Sequence, residues 1–281
     1  MPKSWSRPLI ALSIFISFSL TTSSVMAIDA PAAKELVEKI GQKDAAALKQ
    51  LQDLAAQGDS MAQDRLGLVY LSGQAGEVNY PLARKWLFAA AVQHFAEAES
   101  HIAFMYERGL GTAVDMKAAI DWNQRACDHG DASSCFNLGL LYAEGKGVPK
   151  DMKMARKCYL QAAESGIPVA QLNLGVLYLG KDGGEKNDAE AFRWLSKAAT
   201  AGNARAMYFL GLVYQHGTGV KASEAEALAW YQKSADAGYW QAAGALSAAY
   251  QDGVLGLPKD KAKSDEWHTK YLTDQLPQNK K

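Results

Sequence analysis

The chain has 281 residues, and its 30 Lys and Arg residues are balanced by 30 Asp and Glu residues. A chain this close to neutral has no general field that would draw it onto nucleic acid or an anionic membrane surface, so we expect neither class of partner. The composition is rich in alanine, which favours helices over strands.

The first residues have the pattern of a secretion signal. Lys3 and Arg7 precede an apolar run from Leu9 to Leu20 that is too short to span a bilayer. Small residues precede a cleavage site after Ala27, and no cysteine follows it to accept a lipid. We therefore expect residues 1–27 to be removed and the mature chain to be periplasmic or secreted, without stable membrane insertion. The alternative is an uncleaved membrane anchor.

Residues 28–57 are predicted to form a short N-terminal helical cap. Leu48, Leu51 and Leu54 recur at helical spacing, and the segment ends at Gly58. This is the pattern of a shortened half repeat, which would cover the first full repeat.

From residue 58 to residue 272 the chain repeats a 36-residue unit six times. Each unit contains a tyrosine that is preceded by an aliphatic residue four positions earlier and by a small residue eight positions earlier. The tyrosines are Tyr70, Tyr106, Tyr142, Tyr178, Tyr214 and Tyr250. Because residues four apart lie on one side of a helix, these columns predict one packing face per repeat. A glycine-rich column three positions before the tyrosine would let a neighbouring helix approach closely.

A second helix in each repeat is marked by a tryptophan column and by its ends. Cys158 replaces the tryptophan in the third repeat, and Trp267 lies one position out of phase in the sixth. Glycine follows most helices, with His94 and Lys181 as exceptions, and Asn, Asp or Ser precedes the second helix as an N-cap. The predicted fold is an all-α solenoid of helix-turn-helix units at 58–94, 95–130, 131–166, 167–202, 203–238 and 239–272, followed by a polar tail at 273–281.

Several stretches of the repeats resemble a known family. The strings SCFNLGLLYAEGKGVPKD at 134–151 and AMYFLGLVYQHGTGV at 206–220, followed by ALAWYQKSADAG at 227–238, resemble the Sel-one-like repeats, relatives of the tetratricopeptide repeats. The resemblance covers residues 58–272. It implies a right-handed α/α superhelical solenoid that presents a concave face to a protein or peptide, and we expect no cofactor.

Two of the three cysteines lie on either side of one turn. Cys127 precedes the turn between the second and third repeats and Cys135 follows it, and no other repeat has cysteine in either column. In an exported chain this joint placement favours a disulfide over two unpaired thiols. The Cys-x7-Cys spacing also resembles a cysteine-rich secreted branch of the family. Cys158 takes a tryptophan position, so we expect it to be buried and unreactive.

Catalytic and metal-binding motifs are missing from the sequence. It has no Ser-x-x-Lys, Gly-x-Ser-x-Gly, His-Glu-x-x-His or Cys-x-x-Cys pattern. His94 and His101 are seven positions apart and would share a helix face, but we expect no metal there. We predict a protein that is not an enzyme. The alternative, implied by the cysteine-rich branch, is a binder of penicillin or peptidoglycan peptides, or a weak β-lactamase-like hydrolase.

The expected partner surface lies on the first helix of each repeat. By analogy with tetratricopeptide repeats, it uses the columns six and two positions before the tyrosine, which the packing face leaves free. They contain Phe136, Leu172 and Tyr208 in one column, and Phe104, Leu140, Val176 and Leu212 in the other, with Asn137 and Asn173 at the rim. We predict a monomeric scaffold that binds a protein or peptide here, with Tyr208 outside the structural core. The alternative is that the column two before the tyrosine is core.

Overall fold

The computed structural model describes residues 27–180 and 186–275, and within them it shows fourteen helices and no strand. In chain order the helices are α1 (Ala30–Gly41), α2 (Ala45–Ala56), α3 (Ser60–Ser72), α4 (Tyr80–Ala91), α5 (Ala96–Arg108), α6 (Met116–Asp128), α7 (Ala132–Glu144), α8 (Met152–Glu164), α9 (Pro168–Tyr178), α10 (Asp188–Thr200), α11 (Ala204–His216), α12 (Glu224–Asp236), α13 (Trp240–Asp252) and α14 (Lys261–Gln275). None of these helices has the length and apolar character that a membrane crossing requires. The predicted signal peptide lies outside the described residues except for Ala27.

The helices pair and stack in the order of the chain. Six pairs, from α3 with α4 to α13 with α14, pack each on the next. Contacts that run from neighbour to neighbour define a solenoid, which confirms the predicted fold class. The N-terminal cap contains two helices rather than half a repeat, and both α1 and α2 contact α3. Together they bury Leu36, Ile40 and Leu51 against Leu66 of the first repeat.

The small and aliphatic columns of the first helices form the core. The small column from Ala62 to Ala242 and the aliphatic column from Leu66 to Leu246 are 0–1% exposed in every repeat. The tyrosines are only half-buried. Their backbone has a constant role, because each tyrosine carbonyl accepts a hydrogen bond, 2.8–3.0 Å long, from the N–H of the residue that caps the second helix. This bond determines where the second helix begins relative to the first.

The helix ends follow the predicted capping residues in most repeats. Side-chain oxygens accept hydrogen bonds from the first turn of the second helix at Asn79, Asp115, Asp151, Asn187, Ser223 and Asp260. In the fourth repeat α9 ends early, and Gly180 takes the left-handed conformation at φ 77°. His94 has φ 61° in a column where the other repeats have glycine, so it holds a conformation that side chains disfavour.

The two helices of a repeat meet at the glycine-rich column. A Cβ added at Gly211 would lie 2.7 Å from the ring of Tyr231, which is closer than packed atoms approach. Similar collisions would occur at Gly67, Gly139 and Gly175. In the second repeat the column holds Ala103, and the residue in register with Tyr231 is the smaller Asn123. The sizes of the two facing columns are therefore matched.

We expect Gly211→Ala to destabilise the protein by about 1 to 3 kcal/mol, because overpacking a close contact forces side chains and backbone to shift. Urea unfolding followed by circular dichroism would measure the free energy. Gly41→Ala is the matched control, since Gly41 is also helical and its added Cβ would meet only Gln74, at 3.9 Å. Equal changes in the two variants would contradict the close-packing argument.

Candidate protein-binding surface

One column of the first helices is apolar in every repeat and yet is not buried. It consists of Leu68, Phe104, Leu140, Val176, Leu212 and Ala248, and we name it the apolar ridge. Leu140, Val176 and Leu212 pack against the core with one side and keep part of their surface exposed. Phe104 is 45% exposed. The column is therefore partly core and partly surface.

The column four positions before the ridge lies deeper in the molecule. Leu172 is 3% exposed and belongs to a core cluster, so it offers no surface to a partner and we remove it from the predicted site. Phe136 is half-buried, and its ring centroid lies 5.9 Å from that of Tyr159. Part of the Phe136 surface remains available.

Tyr208 is a member of an aromatic cluster rather than a free anchor. Its ring centroid lies 5.7 Å from those of Phe209 and Tyr231. A third ring, Tyr239, lies 5.4 Å away at the start of the next repeat. Burial raises the pKa of the Tyr208 hydroxyl, and the side chain packs against two core clusters. The expectation that Tyr208 lies outside the structural core is therefore wrong, because Tyr239 closes over it.

The two asparagines predicted at the rim have different surroundings. Asn137 is exposed on α7, whereas Asn173 is half-buried on α9 and hydrogen-bonds the Tyr159 hydroxyl. Burial raises the pKa of Tyr159 to about 12, although the bond with Asn173 acts in the opposite direction. Asn137 is thus the asparagine whose amide faces solvent beside the ridge.

The tryptophans of the second helices are covered by cations of their own chain. Lys233 Nζ lies 4.2 Å from the ring centre of Trp230. Equivalent contacts join Lys197 to Trp194, Arg125 to Trp122 and Lys270 to Trp267. Each of these cations follows its tryptophan by three positions, a spacing that brings the two onto one helix face. These indole faces already have partners within their own helices.

Two buried carboxylates have histidine partners that the sequence analysis missed. Asp64 is fully buried, with Oδ1 2.7 Å from His101 Nδ1 and Oδ2 2.8 Å from the Arg65 guanidinium. Glu99 pairs with His129 in the same way. His94 and His101 were expected to share a face, but they lie in different clusters. Both sites could have been found from the sequence, because Asp64 and Glu99 are each the one acidic residue in a repeat column that is otherwise uncharged.

The cysteines are arranged as predicted. Cys127 and Cys135 form a disulfide, with their Cα atoms 4.7 Å apart, which ties the end of α6 to the start of α7. Cys158 is free and 2% exposed, and burial raises the pKa of its thiol. A buried thiol with a raised pKa stays protonated at neutral pH and is a poor nucleophile. The structure thus contains the expected pair and the expected buried cysteine, and the low reactivity of Cys158 stays a prediction.

Comparisons with known proteins agree with the repeat pattern. The family model described as Sel1 repeat matches residues 60–93, 96–131, 132–167, 168–203, 204–239 and 240–270. A Sel1 repeat protein of Oxalobacter formigenes is 31% identical, with a TM-score of 0.73, and the match covers 85% of this chain and 97% of that chain. No protein with a curated description matches the chain.

Two further solved structures are similar in fold. A protective antigen of uropathogenic Escherichia coli strains, described as displaying an SLR fold, is 28% identical with a TM-score of 0.63. The match covers 88% of this chain and 62% of the antigen, so this chain spans less than two thirds of it. The C-terminal part of a TPR repeat-containing protein of Cytophaga hutchinsonii is 16% identical, with a TM-score of 0.51 and coverage of 89% and 96%, and shows the fold alone.

We expect Tyr208→Ala to lower the free energy of unfolding by about 2 to 3 kcal/mol, near the low end for removal of a large aromatic side chain because Tyr208 is half-buried. Phe104→Ala should lower it by less than Tyr208→Ala does, since Phe104 is 45% exposed. Urea unfolding of the two variants tests this. A larger loss of stability for Phe104→Ala than for Tyr208→Ala would contradict the conclusion that the Tyr208 column is the more deeply buried of the two.

Thiol titration tests the state of the cysteines. Protein purified from an oxidising compartment should react slowly with a thiol reagent while folded and show one thiol per chain after denaturation, from Cys158. Three thiols after denaturation would contradict the disulfide. Rapid reaction of the folded protein would contradict the burial of Cys158.

Proposed function

Because the chain belongs to the Sel1 repeat family, a non-enzymatic fold whose members are generally protein–protein interaction scaffolds, we propose that it is an exported scaffold that binds an extended segment of another protein. The apolar ridge is the binding surface. The scaffold acts as a monomer, and its concave face follows the first helices of the repeats.

The single observation that carries this proposal is the recurrence of apolar residues that keep part of their surface exposed in one column. Apolar residues scattered singly over a surface need no explanation, whereas a contiguous apolar row marks an interaction site. Helices α9 and α11 contact each other directly, which brings Val176 and Leu212 onto adjacent helices of one row. A row that crosses successive stacked helices suits a chain that lies along the solenoid.

Polar groups beside the ridge suit a peptide backbone. An extended segment leaves N–H and C=O groups without partners unless the scaffold supplies them. Asn137 is exposed one turn from Leu140 on α7, and its amide can both donate and accept. The guanidinium of Arg108 lies 5.8 Å from the ring of Phe104, so a cation stands beside the most exposed apolar side chain of the ridge. The preferred segment therefore combines apolar residues with an acidic one.

The contacts of Ile28 support export with cleavage after Ala27. The backbone nitrogen of Ile28 lies 2.8 Å from Oδ2 of Asp59, whose Oδ1 caps α3, and Asp59 is only 8% exposed. Cleavage before Ile28 would turn this nitrogen into an ammonium group. The hydrogen bond to the Asp59 carboxylate would then become an ion pair between opposite charges, which strengthens the contact. The disulfide adds support, since such bonds persist in oxidising compartments.

No observation favours the alternative of a penicillin-binding or weakly hydrolytic protein. Cys158, the one thiol outside the disulfide, is 2% exposed and has a raised pKa, so it is not poised to attack a substrate. We therefore do not propose it.

Site-specific photo-crosslinking tests the binding surface. A photoreactive residue at Phe104 or Leu140 should capture a partner in cells, whereas the same residue at Val92 should not. Val92 is 74% exposed at the end of α4 and lies outside the ridge, so it controls for exposure alone. With the captured partner in hand, Phe104→Ala should weaken binding by about 2 kcal/mol, or about thirtyfold. Capture at Val92 but not at the ridge, or unchanged affinity, would contradict the assignment.

Export is tested by the mass of the mature protein, which should begin at Ile28. A chain with a free Ile28 amine should also be more stable near pH 6 than the same chain acetylated there, by about 1 kcal/mol, because acetylation keeps the N–H donor but removes the charge. Thermal and urea unfolding would measure the difference. Equal stability of the two forms would mean that the contact between Ile28 and Asp59 does not support cleavage after Ala27. A mass that retains Met1 would contradict cleavage itself.

A further inference from the structure

Three metal-ligating side chains converge where the second repeat begins and ends. His94 lies in the turn before α5, Glu99 lies in the first half of α5, and His129 follows the last turn of α6. One ligand atom from each lies within 4.8 Å of the other two. His129 Nδ1 is 2.7 Å from Glu99 Oε2, and the two imidazole rings are 4.6 Å apart between centroids. The carboxylate forms the floor of the cluster, because Glu99 is 1% exposed while both histidines face solvent.

The first repeat shows what the fold needs at these positions. The residues in register are Gly58, Gln63 and Gln93. There the Gln93 amide donates to Gln63 Oε1 at 2.8 Å, and the Gln63 amide donates to the Ala55 carbonyl at 3.0 Å. In the fourth repeat Gln171 makes the same backbone contact, with the Ala163 carbonyl. Neutral side chains therefore satisfy the packing, and the fold itself has no need for a His-Glu-His set.

The second repeat departs from this arrangement at all three positions together. A carboxylate cannot donate to a backbone carbonyl, so Glu99 cannot make the bond that Gln63 and Gln171 make, and it is buried with an imidazole as its partner. A buried carboxylate is costly unless it is fully paired or coordinates a cation. His94 holds a left-handed backbone conformation in a column that has glycine at its five other positions, Gly58, Gly130, Gly166, Gly202 and Gly238. Both departures place a ligand atom at the same point.

We propose that His94, Glu99 and His129 bind one divalent transition-metal ion, with zinc as the best match. Two imidazole nitrogens and one carboxylate oxygen are the donor set of open zinc sites, which keep a further position for water or another ligand. Imidazole donors favour zinc over magnesium or calcium, which prefer oxygen alone. The ion enters from the solvent side, between the two histidines, and neutralises the charge of Glu99 below them.

Calorimetric titration with zinc chloride tests the site on the disulfide-intact chain without a polyhistidine tag. We expect one ion per chain. Loss of a partner in the outer shell of a metal site already costs about 10- to 100-fold in affinity, so His94→Gly should weaken binding by at least about tenfold. The double variant Glu99→Gln/His129→Gln recreates the amide pair of the first repeat and should abolish binding. His216→Gln, an exposed histidine at the end of α11, should bind like the wild type.

The variants are chosen so that they fold. His94→Gly installs the residue of the other five repeats, and the amide pair is already accommodated in the first, so circular dichroism and the melting temperature without metal should be preserved. Zinc should raise the melting temperature of the wild type and of His216→Gln but not that of the double variant. No zinc binding by the wild type, or equal affinity in all three variants, would overturn the proposal.

Discussion

The two helices of each repeat can pack closely because the glycine-rich column of the first helix faces the second helix. At Gly211 the first helix presents bare backbone to the ring of Tyr231, and an added Cβ would collide with it. This contact and the bond from the N-cap residue to the tyrosine carbonyl define the geometry of the pair. Stacking of these pairs buries the aliphatic column and leaves the ridge column partly exposed in every repeat. The core and the apolar ridge are thus consequences of one helix contact.

The fold could be predicted because six copies of each column remove the ambiguity of any single residue. The two-helix cap could not, since α1 has no copy elsewhere in the chain with which to be compared. The repeat pattern also could not predict how deeply each side chain is buried. A column shows which side of a helix a residue occupies, whereas Leu172 and Tyr208 are covered by side chains of neighbouring repeats. Tyr239, the ring that closes over Tyr208, stands in a turn that the 36-residue pattern does not mark as aromatic.

The histidine clusters show why searches within one helix miss sites in a solenoid. His94 and His101 have the spacing of neighbours on one helix, yet a turn separates them and they have different partners. His101 contacts Asp64, which is 37 positions earlier, and His129 contacts Glu99, which is 30 positions earlier. In a stacked array the residues that meet are separated by about one repeat rather than by one helical turn. A search for pairs of residues 30 to 37 positions apart would have found both.

Departures from the repeat consensus are concentrated in and around the second repeat. The segment from His94 to Cys135 contains the His-Glu-His cluster, both bridged cysteines and Phe104, the one aromatic residue of the ridge. The disulfide holds the end of α6 two residues before His129, so it restricts the position of one proposed ligand. Glu99 and Phe104 are five residues apart on α5, which places them about 140° apart around the helix and about 7.5 Å along it. An ion bound at Glu99 would therefore order the start of α5 and the end of α6 while leaving the ridge open to a partner.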